Sequence, residues 1–402
     1  MTVSAANPFL AAEAPSDPRL SSVVRLADLE RMARERMHPA AFDYVAGGAG
    51  DERALGEAEL AWRRWRLRPS VLVDVSELST ASSLVGCPST LPLAIAPMAA
   101  HGLAHADGEI ASARAAAAAG VPFTLSTMSS RSIEEVAAAT PGGTNFFQLY
   151  VQRDRVFARG LVERAAAAGY RALVLTVDLP VLGYRERDRR NGWTLDVPLG
   201  NFGPAGGRAL EARGDPDTTD AGPETNSTDA GSNPAATEPA DGYQALGQQR
   251  HVGLTWDDLG DIRSWSSMPL VLKGILSASD ARRALDVGAD AIVVSNHGAR
   301  QLDELLAPAA ALPDVLAAVG GRIETWVDGG IRRGSEIALA LALGAHGVLI
   351  GRPALWGLAV AGEAGVARVL AILREELEIT MALLGAPSVD HLRPDHAVRV
   401  EP

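Results

Sequence analysis

Eight short apolar runs, rich in β-branched residues, recur along the chain and constrain its fold more than any other feature. They are 93–96 (LAIA), 122–126 (PFTLS), 146–150 (FFQLY), 172–177 (ALVLTV), 269–273 (PLVLK), 291–295 (AIVVS), 325–328 (TWVD) and 347–350 (GVLI). Most of the gaps hold Ala-rich helical patterns, such as EIASARAAAAAG and SEIALALALG, which close on a helix-ending glycine. Strands that are apolar on both faces and alternate with helices imply a parallel sheet. A doubly wound open sheet is the rival arrangement. Eight evenly spaced β/α units favour closure, so the expected fold is α/β, a (β/α)8 TIM barrel.

Hydrophobic residues make up 47% of the 402 residues, enough for one large core. Residues 1–23 read as a disordered leader, 24–386 as a single barrel domain and 387–402 as a C-terminal tail. An amphipathic helix is expected near Leu26–Met37, before the first strand, and a terminal helix near Val366–Leu384. About 90 residues separate the fourth and fifth strands. Their centre, 201–250, is low in complexity, with seven acids and no base between Asp215 and Asp241. It reads as a long acidic insertion after strand 4, either a tolerated surface loop or a lid over the site.

A net charge of −12 argues against nucleic acid as a partner. The single cysteine, Cys87, excludes an internal disulfide framework and any zinc site built from cysteine pairs. No uncharged apolar run of membrane-spanning length occurs, so no membrane partner and a cytoplasmic location are expected. No HxH, HExxH or GxSxG pattern is present, so neither metal chemistry nor a serine hydrolase is expected.

In a barrel the site lies at the C-terminal strand ends, and polar residues collect there. Met98 and Ala99 follow strand 1, Ser126 and Met128 strand 2, Gln148 and Tyr150 strand 3, Thr176 and Asp178 strand 4. Lys273 ends strand 5. Ser295, His297 and Arg300 follow strand 6. Asp328-Gly329-Gly330 after strand 7 and Gly351-Arg352 after strand 8 resemble a site for one phosphate, with Arg332 and Arg352 as bidentate donors. No GxGxxG follows the first strand, so a dinucleotide fold is not supported. His297 is the best general base, oriented by a carboxylate such as Asp178. Arg300 and Arg185 could clamp a substrate carboxylate, and Tyr150 and Tyr44 could donate hydrogen bonds to it. Lys273 is the only lysine among 37 Lys and Arg residues. Codon bias accounts for the scarcity; the exception suggests a place that needs a compact charge.

Several motifs, in order along 24–386, resemble the FMN-dependent 2-hydroxy acid oxidases. They are QLYVQRD (148–154), TVD (176–178), LKGI (272–275), SNHGARQLD (295–303), VDGGIRRG (327–334) and LALGAHGVLIGRP (341–353). That family includes glycolate oxidase, lactate oxidase, lactate monooxygenase and mandelate-oxidising enzymes. The resemblance implies FMN as cofactor, with His297 as base paired to Asp178, and the substrate held by Arg300, Arg185, Tyr44 and Tyr150. Lys273 would sit at the N1–C2=O edge of the flavin. Pro97, Met98, Ala99, Ser126, Gln148, Thr176 and Ser295 would surround the ring. Asp328, Gly329, Gly330, Arg332, Gly351 and Arg352 would take the ribityl phosphate. The implied reaction converts a 2-hydroxy acid to the 2-keto acid, with O2 as acceptor and peroxide as product, in a homo-oligomer of four or more chains.

Met128, standing where glycolate-type pockets carry an aromatic residue, together with Met98 and Ala99, leans the substrate towards mandelate-like or medium-chain acids. Oxidative decarboxylation of the lactate monooxygenase type and a dehydrogenase with another acceptor stand as alternatives. From a different class stand a non-oxidising flavin isomerase and a ligand-binding scaffold. Cytochrome-linked and membrane-docked forms are not expected, since no haem domain precedes the barrel and the insertion is acidic and polar.

Overall fold

The computed structural model describes residues 17–192, 197–202 and 250–400. Its centre is a closed barrel of eight parallel strands: β1 (Leu93–Ile95), β2 (Phe123–Ser126), β3 (Asn145–Leu149), β4 (Leu173–Thr176), β5 (Leu270–Ile275), β6 (Ala291–Val294), β7 (Glu324–Val327) and β8 (Gly347–Ile350). Each strand falls on one of the eight apolar runs. Closure is made by β8 on β1, with Leu349 opposite Ala94.

The strands alternate between two apolar environments, as their burial on both faces requires. One set of side chains, including Ala94, Phe146, Ala172, Val174, Val293 and Trp326, packs inside the barrel. Phe146 and Trp326 stack there with centroids 6.0 Å apart, and the small alanines on other strands make room for them. The opposite set packs outward against the helices. A hairpin of Ser82–Leu84 and Cys87–Ser89 closes the lower end, where Leu84 and Cys87 join the interior cluster.

Three helices precede the barrel: Leu26–Arg36, Pro39–Ala46 and Arg53–Trp62. The first matches the amphipathic helix expected near Leu26–Met37. The second carries Tyr44. The third is tied to the rim by Trp62, whose Nε1 donates to the Gly329 carbonyl at 2.9 Å.

Three boundaries differ from the expectation. Of the leader read as disordered (1–23), residues 1–16 lie outside the described residues, but Pro18–Leu20 form a short helical turn and Leu20 and Val23 are buried. The tail read from 387 is also packed: Ala397–Arg399 pair antiparallel with Trp65–Leu67. The helix expected near Val366–Leu384 is present, and a further helical segment that was not expected precedes it from Arg352; the two meet at a kink where Ala361 and Gly362 leave helical geometry. Pro353 stands in the first turn of the earlier segment, where a proline is tolerated. Arg352–Leu384 as a whole has the length and mean hydropathy, 1.5, of a bilayer span, but 72% of the apolar window is buried within the protein. The acidic insertion lies outside the described residues except at its ends. There Asn201 is buried and donates to the Ser126 and Thr127 carbonyls, and Arg250 forms a bridge with Gln152.

Candidate active site

The strand ends converge on one cleft of about 980 Å³, partly open to solvent. His297 and Asp178 meet in its wall. His297 Nδ1 lies 2.8 Å from Asp178 Oδ1. The His297 N–H donates to Ser295 Oγ at 3.1 Å, and the residue sits in the left-handed region with φ 58°. Ala299 also has positive φ, 61°, so the backbone after β6 coils tightly and lifts the imidazole over the rim. On the other side, His297 Nε2 is 3.4 Å from the Tyr150 hydroxyl.

Burial by itself would raise the Asp178 carboxyl, but its pairing and hydrogen bond with His297 and the Lys273 charge outweigh it and hold it low. Burial pushes the His297 imidazole below its ordinary value, even though Asp178 pulls it upwards. An ionised Asp178 therefore faces a neutral imidazole. That carboxylate accepts the Nδ1 proton, so Nε2 is the basic nitrogen and the Tyr150 O–H donates to it.

Lys273 ends the polar part of β5. Its Nζ is 3.0 Å from Asp328 Oδ2 and 2.9 Å from Ser295 Oγ. Burial works against its charge, yet Asp328 and Asp178 together hold it above the ordinary lysine value. Beneath the rim runs a hydrogen-bonded row across three strands. Ser126 Oγ donates to Gln148 Oε1 at 3.1 Å, and Gln148 Nε2 donates to Thr176 Oγ1 at 3.0 Å.

The end of the cleft around Arg352 is cationic. Arg352 donates to three carbonyls: Val45 at 3.1 Å, Gly47 at 2.8 Å and Gly298 at 2.9 Å. Burial and the charges of Arg300, Arg332 and Arg185 pull it down to about 9. Arg300 Nη1 donates to the Tyr44 and Gly47 carbonyls, and its guanidinium lies 4.9 Å from the Tyr44 ring centre. Arg185 donates to the Arg300 carbonyl and to Gln301 Oε1. Arg332 pairs with Glu59 at 3.0 Å. Gly330 must be glycine: its φ is 79°, and a Cβ there would fall 2.1 Å from the Ala58 carbonyl oxygen.

Most of the residues singled out from the sequence line this cleft: Tyr44, Pro97, Met98, Ala99, Tyr150, Arg185, Lys273, His297, Arg300, Asp328, Gly329, Gly330, Arg332, Gly351 and Arg352. Asp178 reaches it through His297. Ser126, Gln148, Thr176 and Ser295 stand behind the wall as hydrogen-bonding support. Met128, expected against the substrate, is buried and does not line the cleft; its N–H donates to Ser126 Oγ and its carbonyl accepts from Ala100. The loop after β2 turns inward to make those bonds, which carries the thioether away. Leu179, Ile331 and Leu355 line the cleft and were not foreseen. They are ordinary apolar residues, and only adjacency to the motifs could have pointed to them.

The residues present fit a flavin mononucleotide. A cluster of mutually repelling guanidinium groups beside the N-terminus of the helix starting at Arg352 suits a phosphate dianion. Asp328 Oδ1 is buried without a hydrogen-bond partner, as a site for a ribityl hydroxyl would require. Lys273 supplies a charge where a ring gathers negative charge.

Fold and site together define a barrel oxidoreductase built around a flavin phosphate. The chain matches the FMN-dependent dehydrogenase family over residues 33–399. It is 48% identical to an L-lactate oxidase of Nostoc sp., over 93% of this chain and 97% of that protein. It is 41% identical to glycolate oxidase 3 of Oryza sativa subsp. indica, over 94% and 96% of the two chains. A mandelate oxidase structure with (S)-4-hydroxymandelic acid aligns with TM-score 0.82 and 41% identity, over 94% of this chain and 100% of that one. A soluble mutant of the membrane-associated (S)-mandelate dehydrogenase of Pseudomonas putida aligns with TM-score 0.81 and 37% identity, over 94% and 99%. The chain belongs to the FMN-dependent dehydrogenase family. It is an FMN-dependent oxidoreductase acting on CH–OH donors.

Proposed function

We propose that the chain oxidises a 2-hydroxy acid of S configuration, carrying an apolar side chain, to its 2-keto acid. O2 is the electron acceptor and hydrogen peroxide the product. The observation that carries this reading is the neutral, carboxylate-oriented His297 opening onto a cleft that also holds Arg185 and Arg300.

In this reading Arg300 and Arg185 bind the substrate carboxylate, which sets the hydroxyl-bearing carbon beside His297. Tyr44 and Tyr150 donate to the substrate oxygens. His297 Nε2 accepts the substrate proton, and the Asp178 carboxylate stabilises the imidazolium that results. FMN, when bound, would supply the acceptor for the two electrons and the second proton that leave on oxidation of the alcohol carbon. Lys273, held by Asp328 and Ser295, keeps a fixed positive charge at the cofactor end.

The side-chain pocket rests on Met98, Ala99 and Leu179, since Met128 does not reach it. A small residue together with two flexible apolar ones supports a mandelate-like or medium-chain substrate. The relatives named for L-lactate and (S)-mandelate compounds share one handedness at the reacting carbon, which supports the S configuration. The same reading takes the protein as a cytoplasmic homo-oligomer, which sedimentation would test.

The test is an anaerobic titration with glycolate, both lactates, 2-hydroxyoctanoate and both mandelates, following the flavin's visible absorbance. Bleaching by an S acid with an apolar side chain, and peroxide on admitting air, is the expected result. A flavoprotein bleached by none of them would overturn the proposal. Bleaching with carboxylate loss and no free peroxide would replace it with oxidative decarboxylation.

A further inference from the structure

Arg250 is only 3% exposed, and its Nε and Nη1 have no hydrogen-bond partner. No carboxylate among the described residues forms an ion pair with it. A buried cation without an anion is unfavourable and needs a compensating partner. The partner here is an aromatic face: the guanidinium carbon lies 4.5 Å from the centre of the Tyr150 ring. The chain holds Arg250 there by a bridge to Gln152 and by the His251 N–H, which donates to the Val151 carbonyl at 2.9 Å.

Tyr150 is a shared wall. It lines the active-site cleft, and it also lines a second cavity with Leu179, Thr176, Trp256 and Arg250. Arg250 lines the second cavity and is not among the residues lining the cleft. The His297 ring lies 6.4 Å from the Tyr150 ring, at 26° to it. The phenol thus contacts the imidazole of the cleft and a guanidinium of the second cavity.

We propose that Arg250 is a positioning residue of the active site: stacked on Tyr150 from the second cavity, it fixes that ring against His297 and strengthens its hydroxyl as a hydrogen-bond donor. A fixed positive charge over the ring draws electron density from the oxygen and favours ionisation of the O–H. Among the described residues, the charged or titratable groups around Tyr150 include His297 at its hydroxyl, Lys273 in the same cleft and Arg250 on its face, with Asp178 behind His297 and with His251 and Asp280 lining the second cavity. Arg250 is the one among them that touches Tyr150 without touching the cleft, so its charge can be changed while the cleft's own side chains stay. The inference rests on the reading of Tyr150 as a donor in this site.

The test uses the FMN-loaded full chain, without substrate, carrying tyrosine labelled at the phenol carbon. The Tyr150 resonance is the one lost in Tyr150→Phe. Arg250→Gln, and Arg250→Met as a variant of similar length, are expected to move the Tyr150 titration to higher pH, while Arg250→Lys restores most of the shift. In turnover with a substrate found as above, Arg250→Gln is expected to lower kcat about 10-fold with KM changed by less than about 3-fold, as loss of a transition-state interaction requires. Combined with Tyr150→Phe it should add nothing further, because the two act through one group. An unmoved Tyr150 titration in Gln and Met variants that melt like wild type would overturn the proposal. So would equal losses in the Lys and Gln variants, or additive losses in the double variant. The resonance needs no substrate, so it reads Arg250 even where no 2-hydroxy acid bleaches the flavin, and the two readings fail separately.

Discussion

Asp178 packs against Gly274 at a distance that no side chain on Gly274 would allow. A Cβ there would lie 2.5 Å from both Cβ and Cγ of Asp178, and the Gly274 φ of 115° is unfavourable for other residues. The β5–β6 register shifts at this point, between Lys273 and Ile275. One irregularity thus shifts the strand directly after Lys273 and clears the space from which Asp178 reaches His297. Gly274→Ala is expected to displace the carboxylate, lowering kcat by about 10²-fold, the scale of a 1 Å misplacement. Flavin absorbance in the purified variant should persist. Stopped-flow reduction at the wild-type rate would contradict the argument.

His297→Gln removes the basic nitrogen and keeps a polar group of similar reach. Flavin reduction should fall by about 10²- to 10⁴-fold, the usual worth of a positioned base, while FMN stays bound. Anaerobic single-turnover kinetics measure both. Reduction within a few-fold of wild type would move the base elsewhere.

The pH profile follows from the same pair. In the proposed mechanism His297 acts as the neutral imidazole, and burial holds it below its ordinary value. Activity should therefore persist to more acid pH than an exposed histidine of pKa about 6.5 would permit. Asp178 pulls His297 upwards, so Asp178→Asn should slow the reaction and move the acid limb of kcat/KM to still lower pH. A limb that moved upwards would mean that a different group titrates.

Arg352 spans three carbonyls and bears the repulsion of its neighbours, which a bound phosphate relieves. Arg352→Lys keeps the charge but not the planar fork. The FMN dissociation constant should rise about 10- to 100-fold, the worth of one or two charge-assisted hydrogen bonds. Riboflavin, which has no phosphate, should bind as before. Titration of apoprotein by flavin fluorescence distinguishes the two, and equal weakening of both would place the phosphate elsewhere.

The barrel was legible because its strands are apolar on both faces, which leaves short unbroken runs such as LAIA and GVLI. The rim was legible because polar residues directly after such runs have one place to go. Packing decided what remained. Met128 follows β2 as Met98 follows β1, but only the second reaches the cleft, because Ser126 captures the Met128 backbone. Leu179 gives no signal beyond standing next to Asp178. Arg250 lies at the end of a low-complexity stretch and meets Tyr150, 100 residues earlier, only through the fold. Leu20 and the Ala397–Arg399 strand looked like terminal tails because each holds too few apolar residues to show a period.

The shared carbonyl of Gly47 sets a schedule for synthesis. Tyr44 and Gly47 leave the ribosome early, but the guanidinium groups that grip them follow 256 residues later from Arg300 and 305 residues later from Arg352. Helices and neighbouring strands can form as the chain emerges, whereas these contacts must wait until Arg300 and Arg352 have been made. If this end of the cleft holds the flavin phosphate as proposed, a chain that has turned yellow has already brought Gly47 to Arg300 and Arg352.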